Sequence, residues 1–128
     1  MRGIPGSGKS TTATFLAGEH GKVHSTDSYF MEGGKYVFDP KKLKENHEKN
    51  FEAFCKDIEN GEKLVVCDNT NTCKWEFEKY LQFAQDNGYI TSIVELPHPP
   101  VEKAIERNSH GVPREAIDRM LARWEPNQ

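Results

Sequence analysis

Eight consecutive residues, Gly3-Ile4-Pro5-Gly6-Ser7-Gly8-Lys9-Ser10, match the spacing G-x-x-x-x-G-K-[ST] and run into Thr11-Thr12-Ala13, the first turn of an expected helix. This order of residue types can hold an anion. Glycines let the backbone turn sharply and approach phosphate oxygens closely, so that successive N–H groups wrap the charge. The helix adds its free N–H groups and the positive end of its dipole, and Lys9 reaches the outer phosphates. Thr11 continues the cradle, and the hydroxyl of Ser10 is placed to ligate a magnesium ion held between two phosphates.

Carboxylates and arginines supply the rest of such a site. Lys22-Val23-His24-Ser25 reads as a weak strand that delivers Asp27 to its carboxyl end, the side of an open α/β sheet where ligands sit. Lys63-Leu64-Val65-Val66-Cys67 is the best strand in the chain, apolar without alternation, as for a central parallel strand covered on both faces. It ends at Asp68-Asn69-Thr70-Asn71, where Asp68 is either a magnesium carboxylate or part of a helix-capping cluster. Arg107 and Arg114 flank a bend, Ser109-His110-Gly111-Val112-Pro113, of the kind that closes over polyphosphate. Arginine suits that task because its fixed fork of donors matches phosphate oxygens. Arg119 and Arg123 are divided between this role and surface pairing with nearby acids.

These residues need a scaffold of alternating strands and helices. Ala13, Phe15, Leu16 and Ala17 are expected to line the buried side of a short helix after the phosphate loop. Tyr29 to Pro40, with Gly33-Gly34 and Asp39-Pro40, predicts a loop or small hairpin whose Phe30, Tyr36 and Phe38 either tack it down or wall a substrate site. Leu43, His47, Phe51, Phe54, Cys55 and Ile58 recur at helical spacing, with Asp39 as cap and Asn60-Gly61 as stop. His47 is expected to be partly buried and hydrogen-bonded. A further helix carries Trp75, Phe77, Tyr80, Leu81 and Ala84, with Trp75 expected in the core. Tyr89 to Leu96 reads as another strand, and two helices follow, from Val101 and from Arg114. The fold class expected is α/β, a phosphate-loop nucleotide-hydrolase fold with a mostly parallel sheet and helices on both faces. Only Met1 and Arg2 precede the loop, so a single domain spanning residues 1–128 is expected, truncated at its amino end and without the strand that normally leads into the loop. An unpaired lane or groove is expected beside Leu64 to Cys67.

Composition narrows the class. At 128 residues the chain can support one sizeable core. Seventeen basic against twenty acidic residues leave a formal charge of −3, so bulk charge does not hold nucleic acid, although a local basic groove is allowed. Cys55, Cys67 and Cys73 have an odd count, no metal-ligand spacing and no leader before them, which reads as reduced thiols in a cytoplasmic or nuclear protein. No run is long and apolar enough for a membrane span. There is no Asn-Lys-x-Asp run for guanine and no room for a motor. What fits is a small kinase using ATP and magnesium, with Lys9 and Ser10 on the nucleotide, Asp68 on the metal, Asp27 on the acceptor hydroxyl and Arg107 with Arg114 over the transferring group. An ATP-binding regulatory module without catalysis, or a kinase of small molecules, remains the alternative.

Gly3 to Thr11, Ser25-Thr26-Asp27, Asp68-Asn69-Thr70-Asn71 and Arg107-Asn108-Ser109-His110-Gly111-Val112-Pro113 together resemble the kinase-like domain of the Nedd-four-binding protein family. That domain is in turn similar to polynucleotide 5′-hydroxyl kinases. The resemblance implies that Asp27 activates a 5′ hydroxyl of RNA or DNA and that Asn69, Thr70 and Asn71 contact the nucleic acid. Two positions depart from the polynucleotide kinases: Phe30 stands where an arginine grips the phosphate next to the acceptor, and His110 stands at the lid arginine. Arg107 or Arg114 is then expected to take over the lid contact.

Overall fold

The computed structural model describes residues 1–127. Its sheet is smaller than the sequence predicts. β1 (Lys22–His24) and β4 (Val65–Cys67) pair in parallel, Val23 opposite Val66, while β2 (Met31–Glu32) and β3 (Lys35–Tyr36) form a separate antiparallel hairpin. β4 pairs in parallel as expected but, in a two-stranded sheet, lies at an edge and not at the centre; its side chains alternate between two helical layers. Val65 and Cys67 pack with α2 (Leu43–Glu59) and α3 (Lys74–Asp86), whereas Val66 packs with Ala13 and Ala17 of α1 (Lys9–Ala17).

Tyr89 to Leu96 does not form the expected strand. Glu95 alone bridges, in parallel, to Arg2, with Arg2 N donating to Val94 O (2.8 Å) and Leu96 N to Arg2 O (2.9 Å). Met1 and Arg2 therefore occupy one end of a lane between β4 and this segment, Met1 N donating to Cys67 O at 3.0 Å. Along the rest of the lane the backbone groups of Ile90 to Ile93 have no backbone partner among the described residues. An apolar cavity of about 290 Å³ runs there, lined by Val65, Ile58, Tyr80, Ala84 and Ile93 among others. β-Propensity without a neighbour to pair with does not make a strand.

The single core expected from chain length is three small clusters. Phe54, Cys55, Ile58, Tyr80 and Ala84 join α2 to α3, Ala13, Ala17 and Val66 join α1 to β4, and Ile4, Ala104 and Ile117 join the phosphate loop to α4 (Val101–Arg107) and α5 (Arg114–Ala122). Apolar expectations on α1 and α3 fail for the same reason, Leu16 of α1 being exposed as well. Phe15 is 84% and Trp75 74% exposed, because so narrow a sheet offers α1 and α3 little area to cover.

Arg2 ties the third cluster to the rest. It is 1% exposed, sandwiched between the rings of Phe77 and Trp124, and donates to the carbonyls of Asn71, Thr72 and Glu125 and to the carboxylate of Glu95.

Candidate active site

The phosphate loop is shaped as its glycines require. Gly6 (φ 82°) and Gly8 (φ 90°) lie in the left-handed region, and Gly8 caps α1 without any side chain on the free N–H groups. Ile4 is fully buried against Ala104 and Ile117 and so anchors the loop to α4 and α5. Gly6 lies against α4 so closely that a Cβ there would come within 2.3 Å of Ala104 O. Gly3 N donates to Thr70 O at 3.2 Å, fastening the loop's entrance to the segment after β4.

Lys9 and Asp68, far apart in sequence, are both buried and meet at 3.0 Å between Nζ and Oδ1. A fully desolvated carboxylate and ammonium are tolerable only as such a pair. Gly6, Gly8, Lys9, Ser10 and Thr11 line a cavity of about 870 Å³ together with Thr26, Asp27, Tyr36 and His47. A volume of this size is in the ordinary range for a small-molecule or cofactor site.

Asp27 sits in a 3₁₀ turn, Thr26–Phe30, that follows β1. The turn is pinned by Asn69, whose Oδ1 accepts from Thr26 N (2.9 Å), and by Asn46, whose Nδ2 donates to Tyr29 O. Two side chains address the Asp27 carboxylate: the Tyr36 hydroxyl donates to Oδ1 at 3.3 Å and His110 Nε2 lies 3.6 Å from Oδ2. Their rings stack at 4.1 Å, which joins the hairpin to the bend. Burial, and then the Asp27 charge, push the Tyr36 phenol well above its ordinary range, so Tyr36 acts as a donor. His110 Nδ1 is buried without a partner, as is Ser7 Oγ in the loop. His47 Nδ1 meets Thr26 Oγ1 at 3.0 Å, and burial lowers its affinity for a proton.

Several sequence expectations change here. Asn69 and Asn71 are buried and engaged in holding the loop after β4 together: Asn71 Nδ2 donates to Met1 O, its carbonyl accepts from Arg2, and its φ is 50°. Asn71 is not on the cavity, Asn69 reaches it with both amide atoms already bonded, and Thr70 is the member of the run left facing it. Arg114 is directed outward to Glu102 (3.4 Å) and Asp118 (3.8 Å) and does not line the cavity. Arg107, Arg119 and Arg123 do line it. Phe30 is buried against Phe38 and tacks the hairpin down, while Tyr36 and Phe38 face the cavity. The bend itself is built by Asn108, whose Oδ1 accepts from His110 N and Val112 N and whose Nδ2 donates to Val112 O.

With the loop, the Lys9–Asp68 pair and the facing carboxylate in place, comparison with known proteins is decisive, since the family model described as "AAA domain" matches residues 1–127. The chain belongs to the AAA domain family. It is also 38% identical over 131 residues to NEDD4-binding protein 2 of Homo sapiens, an alignment that takes in 98% of this chain and 7% of that protein. The chain thus spans a small fraction of the relative's length, and the kinase-like domain resemblance read from its motifs is borne out. As an AAA domain it has the phosphate-loop nucleotide-binding fold, here with a two-stranded parallel sheet. No helix among the described residues is long and apolar enough to cross a membrane.

The donor set fits a nucleotide with magnesium. An anion-ready helix start, an orphaned loop hydroxyl at Ser7, the Ser10 hydroxyl on the cavity and the Asp68 carboxylate bonded to Lys9 are what a phosphate–metal unit uses. No group of three or more His, Cys, Asp or Glu residues among the described ones can hold a metal alone, and magnesium in such sites takes most of its ligands from phosphates and water.

Proposed function

We propose that this AAA domain is a kinase that moves the γ-phosphoryl group of ATP to a hydroxyl, the acceptor being the 5′ end of a polynucleotide. The observation that carries this is the position of Asp27, which lines the same cavity as Lys9, Ser10 and Thr11 of the phosphate loop. A nucleotide binder has no use for a carboxylate there. A phosphoryl acceptor needs one.

The residues divide the work as follows. Backbone N–H groups from Gly6 to Thr11 and the Lys9 ammonium hold the triphosphate, and the Ser10 hydroxyl and Asp68 carboxylate would hold magnesium, which supplies charge neutralisation at the phosphates. Asp27 orients the acceptor hydroxyl and takes its proton as the oxygen–phosphorus bond forms in line with the breaking bond to the β-phosphate oxygen. Tyr36 and His110 hold the Asp27 carboxylate, one on each oxygen, and the incoming hydroxyl displaces the longer of the two contacts. Arg107, at the carboxyl end of α4 and without a partner among the described residues, is the cation free to meet the transferring group.

The test is transfer of labelled γ-phosphate from ATP to 5′-hydroxyl RNA, 5′-hydroxyl DNA, nucleosides and sugars, with Asp27→Asn and Lys9→Ala in parallel. Label on a 5′ end that vanishes in both variants is the expected result. Label only on a small metabolite replaces the acceptor class. ATP binding lost in Lys9→Ala, with no label from the wild type on any acceptor, leaves a regulatory nucleotide-binding module.

A further inference from the structure

The cavity carries a charge opposite to that of the whole chain. Lys9, Arg107, Arg119 and Arg123 line it against the two carboxylates Asp27 and Glu76, in a chain whose net charge is −3. Concentrating positive charge in a concave, partly dry site strengthens its field toward anions. Lys9 is already paired with Asp68, and Arg107 stands beside the phosphate loop, since Gly6 rests on Ala104 one turn before it. That leaves Arg119 and Arg123 without a task on the donor side.

Their placement is specific. Arg119 lies in the last turn of α5 and Arg123 caps that helix, its N–H donating to Arg119 O at 3.1 Å, so the two are one turn or about 6 Å apart along the axis. The Arg119 guanidinium has no hydrogen bond or ion pair among the described residues, and it lines the cavity. Arg123 is oriented by one bond, Nε to Thr72 Oγ1 at 3.0 Å, and that hydroxyl in turn donates to Glu76 at 2.8 Å. The bond uses the inner nitrogen and leaves the terminal ones free to face the cavity. At the opposite end of this wall, the bend that leads into α5 places His110 against Asp27. A chain of phosphodiesters leaving a hydroxyl at Asp27 and following α5 would meet Arg119 and Arg123 in turn.

We infer that Arg119 and Arg123 form the acceptor-strand subsite, holding the phosphodiesters that follow the terminal hydroxyl. This rests on the polynucleotide reading above and names the residues that make the acceptor a strand rather than a nucleoside. It also accounts for an acceptor site in which Phe30 is buried and Asn69 and Asn71 are bonded within the protein. Glu76 is the one carboxylate on this wall besides Asp27, and its bond to Thr72 holds Arg123 in place.

The experiment measures binding separately from transfer. Anisotropy of a labelled single-stranded 5′-hydroxyl oligonucleotide, as RNA and as DNA, is titrated with wild type, Arg119→Gln, Arg119→Gln/Arg123→Gln and the off-cavity control Lys103→Gln across a salt series. Loss of two phosphate contacts should weaken binding at least tenfold and reduce the slope of log K against log salt by about 1.4, from roughly 0.7 per contact on single strands. Lys103→Gln should bind as wild type, and ATP affinity should be unchanged in every variant. Arg119→Gln, which breaks no bond in the fold, keeps the test valid should the double variant unfold, and should lose about half the slope change. A wild type that does not bind the strand, or an Arg119→Gln protein with unchanged affinity and slope, overturns the subsite. Transfer to the 5′ end with unaltered KM in the double variant overturns the subsite alone, whereas strand binding that depends on these arginines without any transfer overturns only the kinase reading.

Discussion

Replacing Arg2 by Met separates two explanations of how the phosphate loop's entrance is held. The visible ion pair with Glu95 (2.8 Å) is the obvious candidate, but Glu95 is 41% exposed, and a pair open to water on one side contributes at most about 1 kcal/mol. The carbonyl clamp is different. Removing the guanidinium strands the carbonyls of Asn71 and Thr72, both buried residues, at about 1–3 kcal/mol each. It also removes a desolvated cation from between Phe77 and Trp124, worth about 2 kcal/mol, of which the Met thioether restores part. Because these terms overlap, the expected loss is about 3–5 kcal/mol, against about 1 kcal/mol or less for Glu95→Gln. Urea unfolding followed by tryptophan fluorescence reads this directly, as a midpoint lowered by about 2 M at a slope near 2 kcal/mol/M. Arg2→Met within about 1 kcal/mol of wild type would refute the reasoning, and so would Glu95→Gln costing as much as Arg2→Met.

Three further outcomes follow from the same structure. Gly6→Ala drives a Cβ into the α4 backbone at a φ of 82°, so it should lose nucleotide binding and at least about 1–2 kcal/mol of stability, whereas Gly33→Ala (φ 55°, open space) should show strain alone, with ATP titration and thermal melts as readouts. His47 is held below its ordinary proton affinity by burial, with Glu76 and Asp27 opposing and Lys79 assisting; its contribution is therefore complete above about pH 6.5 and falls as pH drops, so His47→Gln should flatten the acid-side decline by up to about 1.4 kcal/mol per pH unit in urea titrations at pH 5 to 7. Tyr36→Phe keeps the stack on His110 but removes the donor to Asp27, and should lower kcat for phosphoryl transfer while leaving the KM for ATP unchanged; an equal loss in both would mean that Tyr36 only supports the fold.

The helices and the phosphate loop were legible because their signals are local: spacing of three and four, glycines at sharp turns, Asp39 capping at Lys41 N (3.0 Å). Asp27 and Asp68 could be read in the same way, each from its place after a strand. What failed depends on neighbours that a linear reading does not contain. Tyr89 to Leu96 has the residues of a strand but a partner only at Arg2, and Trp75 has the character of a core residue but no sheet beneath it. Asn69 and Asn71 look like exposed hydrogen-bonding groups, and only the three-dimensional path shows the buried carbonyl and amide they satisfy. Among the arginines the decisive difference was also spatial, since Arg114 has acids within reach at Glu102 and Asp118 and Arg119 does not. The four-residue spacing of Arg119 and Arg123 was a usable signal.

The lane beside β4 has a consequence for how these 128 residues behave in a test tube. Its walls are apolar and its rim carries a row of unmatched peptide groups from Ile90 to Ile93, a template for any extended chain that reaches it. Ile90, at 98% exposure, stands at its lip. At the concentrations used for crystallisation the most abundant extended chain is another copy of the same molecule, caught while partly unfolded. Self-association through this lane should therefore grow with temperature and protein concentration and dye-binding to exposed apolar surface should accompany it. Polar substitution at Ile90 should suppress both before it touches the nucleotide site.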